Sequence, residues 1–131
     1  MSRKIPISLR RQVAQRANYR CEYCLLPEVL AIYPFEVDHI IAIRHGGKSV
    51  PENLAYCCSR CNRNKGSDLT TVLPDESTII RIFNPRVDVW DDHFETGNGV
   101  IYAKSNIGVA TIKLLDFNTP ERVIGRQIWM K

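Results

Sequence analysis

Two kinds of chemistry are written into residues 21–66. The first is soft. Cys21-x-x-Cys24 and Cys58-x-x-Cys61 each put two thiols on one tight turn, and together they offer four sulfur ligands in the arrangement that structural zinc prefers. Two unrelated buried pairs are the plain alternative. The second is hard. Asp38, His39, Asn53, Asn62 and Lys65 bring a carboxylate, an imidazole, two carboxamides and an ammonium into the same stretch. Oxygens of Asp38 and Asn62 suit Mg2+ or Mn2+ rather than the thiolate-bound metal. An imidazole is the side chain best matched to accepting a proton from water near neutral pH.

The chain has five cysteines, an odd number that argues against a disulfide framework. Cys58 gives the two-residue spacing to Cys61, so the extra residue, Cys57, is expected to pack in a strand. The 33 residues between the two pairs exceed a simple zinc ribbon, so something folded must sit between them.

Composition bounds the rest. At 131 residues, with 44% hydrophobic and 24% charged residues, the chain has the make-up of an ordinary globular protein and the length of a single domain. No apolar run approaches the roughly eighteen residues needed to cross a bilayer. Met1-Ser2-Arg3-Lys4 lacks the apolar core of a secretory leader, and a cytoplasmic protein without membrane contact is expected. The net charge of +4 is uneven: residues 1–66 hold 11 Lys or Arg against 5 Asp or Glu, and residues 67–131 hold 7 against 9. Positive charge gathers in the half that carries both centres, as it would if that half met a polyanion.

Local sequence signals outline the elements that must position these residues. Ser8 to Ala17 is a short basic helix with Ser8 as N-cap and Leu9, Val13, Ala14 and Ala17 on one face. Its arginines, Arg10, Arg11 and Arg16, lead with Arg20 into the first cysteine pair, either along a phosphate backbone or as a solvated face. Phe35 to Ile41 is a strand that delivers Asp38 and His39, and Asn53 to Cys58 is a second. Asn62 to Lys65 is a short helix stopped by Gly66. Beyond it, Ser67 to Ser77 is the best candidate for a flexible joint, Thr78 to Phe83 a strand and Ile107 to Phe117 a helix. A final helix starts at Thr119-Pro120-Glu121. Arg86, Trp90 and His93 form a polar and aromatic cluster for which core packing is favoured over nucleic-acid contact.

Cys-Glu-Tyr-Cys, Val-Asp-His-Ile-Ile, His-Gly-Gly, Asn-Leu-Ala and Cys-x-x-Cys-Asn-x-x-Lys-Gly occur in that order between Arg16 and Gly66. In this the chain resembles the HNH endonucleases, the zinc-knuckle branch of the ββα-metal (His-Me finger) nucleases, with asparagine in place of the third signature histidine. The separations, 14 residues from His39 to Asn53 and 23 from His39 to Asn62, suit that motif.

The resemblance implies an α+β fold. A ββα-metal core at about 16–66 would be stapled by a four-cysteine zinc site, preceded by a basic helix at about 8–18 and followed by a strand and helix extension over 67–131. It implies His39 as general base and Asp38 and Asn62 on a catalytic Mg2+ or Mn2+. Asn53 would bond across the loop to hold the histidine. Arg44, Arg63 and Lys65 are candidate phosphate contacts. The expected activity is metal-dependent hydrolysis of phosphodiester bonds, with double-stranded DNA the expected partner. The alternative is a noncatalytic, zinc-stabilised module that binds nucleic acid.

Overall fold

The computed structural model describes residues 5–130. Met1 to Lys4 and Lys131 lie outside the described residues. The first helix, α1, is Ile7–Arg16. Ser8 is not its cap. The helix starts behind Pro6, whose carbonyl accepts from Arg10 N at 2.9 Å, and Ser8 sits exposed in the first turn. The inward face is as expected, with Val13 and Ala14 buried.

Strands β1 (Glu36–His39) and β2 (Leu54–Cys57) pair antiparallel, with His39 opposite Leu54 and Asp38 opposite Ala55. Helix α2 (Ser59–Lys65) comes next, longer at its start than the sequence suggests. Its N-cap is Cys58, whose sulfur accepts the amide of Cys61, a thiolate standing in for the usual hydroxyl or carboxamide. Gly66 ends it at φ +50°. Strand, long loop, strand, helix is the ββα arrangement, and it carries every hard-donor residue.

The extension is not joined through a mobile linker. Residues 67–77 contain β3 (Thr70–Val72), which pairs with β4 (Ile79–Arg81). Between them the Asp75 carboxylate accepts the amides of Ser77 and Thr78 at 2.9 and 3.0 Å, which makes a tight turn of what composition reads as a joint. After α3 (Trp90–His93) comes a hairpin of β5 (Phe94–Gly97) and β6 (Val100–Ala103) that the sequence reading does not contain. Its signal is Asn98-Gly99, both at positive φ, the pairing that favours a two-residue hairpin turn.

Helix α4 (Asn106–Leu115) is capped by Ser105, and α5 (Pro120–Trp129) begins after Thr119 as expected. The buried residues of α4 are Gly108, Ala110, Thr111 and Leu115, with Ile107 and Leu114 partly buried against the core. One apolar core runs from Leu54 and Tyr23 of the ββα half to Phe83, Phe94 and Phe117 of the extension. Phe94 lies 5.4 Å from Phe83 and 5.5 Å from Phe117 between ring centroids and 4.9 Å from Trp90, whose Nε1 donates to the Tyr23 carbonyl, so the extension packs directly on the ββα unit. Among the described residues no helix is long and apolar enough to cross a membrane.

Candidate functional site

The soft centre is closed. The sulfurs of Cys21, Cys24, Cys58 and Cys61 all lie within 4.8 Å of one another and all four residues are buried. Sulfurs bonded at about 2.3 Å to a tetrahedral zinc stand about 3.8 Å apart, and Cys24 and Cys58 are separated by 3.7 Å. Each pair forms a knuckle, with Cys24 N donating to Cys21 Sγ and Cys61 N to Cys58 Sγ, both at 3.4 Å. Cys57 is buried in β2 and takes no part.

The donor set and its size fit zinc, and the surrounding charge agrees. Burial pushes the Cys21 and Cys61 thiols well above their ordinary range, whereas hydrogen bonds from the neighbouring sulfurs outweigh burial at Cys24 and hold Cys58 down, so only a cation among them would let all four stand as thiolates. Even a divalent ion leaves two negative charges uncompensated. Arg122 and Arg126 of α5, both buried, supply the balance: Arg122 Nη1 donates to Cys61 Sγ at 3.2 Å, and Arg126 Nη1 to the Cys24 carbonyl at 3.1 Å. Burial works to lower the Arg122 pKa, but the thiolates of Cys24, Cys61 and Cys58 outweigh it and hold the guanidinium charged.

The hard centre is open. Asp38, His39 and Asn62 line one cavity of about 270 Å³, floored by Val37, Ala42 and Ile43. A larger cavity of about 500 Å³ opens beside Leu30, Tyr33 and Arg60 but holds none of the hard donors.

Asp38 is almost wholly buried. The Tyr23 hydroxyl donates to its Oδ2 at 2.8 Å, and Lys65 Nζ lies 3.3 Å from Oδ1 and 3.2 Å from Oδ2. Burial raises the carboxyl pKa even against the pull of Lys65 and Tyr23. Tyr23, fully buried beside this charge, has its own pKa pushed well up, first by burial and then by Asp38, so its proton stays on. A carboxylate offers about four lone-pair sites, so these partners leave Asp38 room for a cation on the cavity side.

Lys65, expected as a phosphate contact, is only 2% exposed. That expectation is corrected by its position: its ammonium faces inward, on Asp38 and on the His39 carbonyl at 3.2 Å. Arg44 and Arg63 are exposed, as a backbone contact requires. Arg44 lies in the turn Ile43–His45, next in sequence to Ile43 of the cavity lining, whereas Arg63 lines a neighbouring cavity with Arg10 and Tyr33. In α1, Arg16 instead donates to the carbonyls of Pro51 and Leu54.

Asn53 closes the loop between β1 and β2. Asn53 Oδ1 accepts the Ile41 amide, and its Nδ2 donates to the carbonyls of Ile41 and Lys48, each at 2.9 Å. Gly47 lies so close beneath that a Cβ there would meet the Ile41 carbonyl oxygen at 1.7 Å, which bars any side chain. The clamp brings Ser49 to His39, with Oγ 2.8 Å from Nε2. On the far side, Asn62 Nδ2 donates to Glu36 Oε2 at 3.1 Å.

Sequence reading missed Tyr23, Glu36 and Ser49. Glu36 could have been found, because it stands two residues before Asp38 and therefore on the same face of β1. Ser49 carries no signal, since only loop closure brings it to His39. Arg86, Trp90 and His93 are partly buried and bonded within the protein: Arg86 pairs with Glu22, Trp90 Nε1 donates to the Tyr23 carbonyl at 2.9 Å, and His93 Nδ1 lies 2.7 Å from Ser105 Oγ.

Residues 21–68 match the family model of HNH endonucleases, a segment that contains all the residues of both centres. No curated protein and no solved structure matches the chain.

Proposed function

We propose that this protein is a divalent-metal-dependent endonuclease that hydrolyses phosphodiester bonds of double-stranded DNA. The observation that carries the reading is the single open cavity lined by Asp38, His39 and Asn62. With Nε2 of His39 engaged by Ser49, Nδ1 is the nitrogen that takes the proton of the attacking water. Asp38 and Asn62 would hold Mg2+ or Mn2+ through oxygen, an ion that would supply charge compensation for the phosphate and the departing 3′ oxygen. The products carry 5′-phosphate and 3′-hydroxyl ends. Arg44 and Arg63 take flanking phosphates, which positions the duplex without reading its sequence.

A second reading, a noncatalytic zinc-stabilised module that binds nucleic acid, draws on one feature. The Asp38 carboxylate already has an ammonium partner in Lys65. A plasmid-nicking assay with Mg2+ or Mn2+ separates the two. The nuclease reading expects nicking by the wild type and a loss of about 10²- to 10⁴-fold in His39→Ala, the range for a general base. Plasmid binding without nicking in either protein would establish the second reading.

A further inference from the structure

Both metal-binding side chains of the proposed nuclease have a partner on the side away from the cavity, Glu36 for Asn62 and Tyr23 for Asp38. Asn62 is the clearer case. A carboxylate only accepts hydrogen bonds, so the end of the Asn62 amide that faces Glu36 must be its NH2. Asn62 lines the cavity and Glu36 does not; Glu36 lies in the adjoining cavity with Arg10 and Arg63. The amide oxygen is therefore the end left for the ion, and without Glu36 the amide is free to turn and offer NH2, which no cation accepts.

Asp38 has the equivalent arrangement. The Tyr23 hydroxyl, which can only donate to an ionised carboxylate, fixes Oδ2 from inside the core. Tyr23 lies between the knuckle ligands Cys21 and Cys24, and its ring is fully buried. The soft centre thus reaches the hard one through a single side chain.

We infer that Tyr23 and Glu36 are positioning residues for the catalytic ion, Tyr23 fixing the Asp38 carboxylate and Glu36 selecting the Asn62 amide oxygen. This rests on the nuclease reading only for the identity of the two ligands. Ligands held in this way lose about 10- to 100-fold in metal affinity when the outer partner is removed.

The test is Mn2+ binding to the zinc-loaded full chain, followed by electron paramagnetic resonance, with zinc content and thermal midpoint measured on the same samples. Tyr23→Phe is expected to weaken Mn2+ binding by about 10- to 100-fold and Glu36→Gln by about 10-fold, with zinc retained in both. In an Asn62→Asp background the Glu36 effect must shrink. A carboxylate offers oxygen whichever way it turns, so no end is left for Glu36 to select. A merely structural role predicts lower thermal midpoints with no change in Mn2+ affinity, and a charge effect alone predicts the same loss in both backgrounds.

Wild-type affinity in Glu36→Gln, or a loss as large in the Asn62→Asp background as with Asn62 in place, overturns the Glu36 assignment. Loss of zinc from Tyr23→Phe, or wild-type affinity in it, overturns the Tyr23 assignment, and a wild type that binds no Mn2+ overturns both. A wild type that binds Mn2+ with the expected variant effects yet leaves plasmid intact would sink the nuclease reading alone.

Discussion

Cys61 and Asn62 are neighbours in α2, yet they serve centres of opposite kind. Cys61 is wholly buried and points into a cluster sealed by two arginines of α5. One residue on, about 100° around the helix, Asn62 looks into a cavity open to solvent. Sealed four-thiolate sites do structural work, and open oxygen-donor sites keep positions for water and substrate. The helix is therefore a rigid spacer: fixing one side chain in the closed centre fixes the direction of the next in the open one.

The sharpest way to break this comparison is to open the closed centre. Cys61→Ser should abolish zinc binding and the fold together, because binding free energy on the order of 10 kcal/mol is folding free energy in such domains. Circular dichroism with zinc analysis checks it, and a folded zinc-free variant would refute a structural role for the cluster.

The next cut is the same in both centres, removal of a buried cation beside an anionic group. Arg122→Met and Lys65→Met should each cost about 3–5 kcal/mol, the usual penalty for stranding one member of a buried pair. Their consequences differ. Arg122→Met should weaken zinc retention, whereas Lys65→Met should keep zinc and become pH-dependent. The raised pKa of Asp38 means that its contribution to stability is fully present below the ordinary carboxyl value and is lost as pH rises through the folded one. Without Lys65 that pKa rises further, so the variant should unfold more readily as pH increases from about 4 towards neutrality. Adding Asp38→Asn should restore much of the loss, and thermal midpoints across pH decide it.

The smallest effect belongs to the loop. Asn53→Ala removes three hydrogen bonds of a partly exposed clamp and should cost about 1–3 kcal/mol. Zinc content should stay at the wild-type level while nicking falls, because Ser49 no longer meets His39. Full nicking activity in this variant would show that the loop does not set the histidine.

Much of the molecule is legible in its residues. The spacing of Cys21, Cys24, Cys58 and Cys61 specified the cluster, since two residues between thiols suffice for a knuckle wherever the chain goes in between. The β-branched and aromatic residues around Asp38 and His39, and the Gly66 stop after Lys65, placed the strand end and the helix on which the site is built. What failed had physical causes. Asp75 turned a polar stretch into a hairpin by accepting two amides, and the Asn98-Gly99 turn signal went unread beside the helical spacing of the segment after it.

Sequence alone determined which ligands exist, soft and hard, because side-chain identity and local spacing fix donor chemistry. Direction and burial were decided only by the tertiary structure. Lys65 reads as a surface charge and lies inside on Asp38. Arg122 and Arg126 face inward while Ile124 and Ile128 face solvent, against the usual pattern of an amphipathic helix. The reason is the same in each case: a buried anion costs more than a buried cation placed beside it, and only the assembled fold says where the anions are.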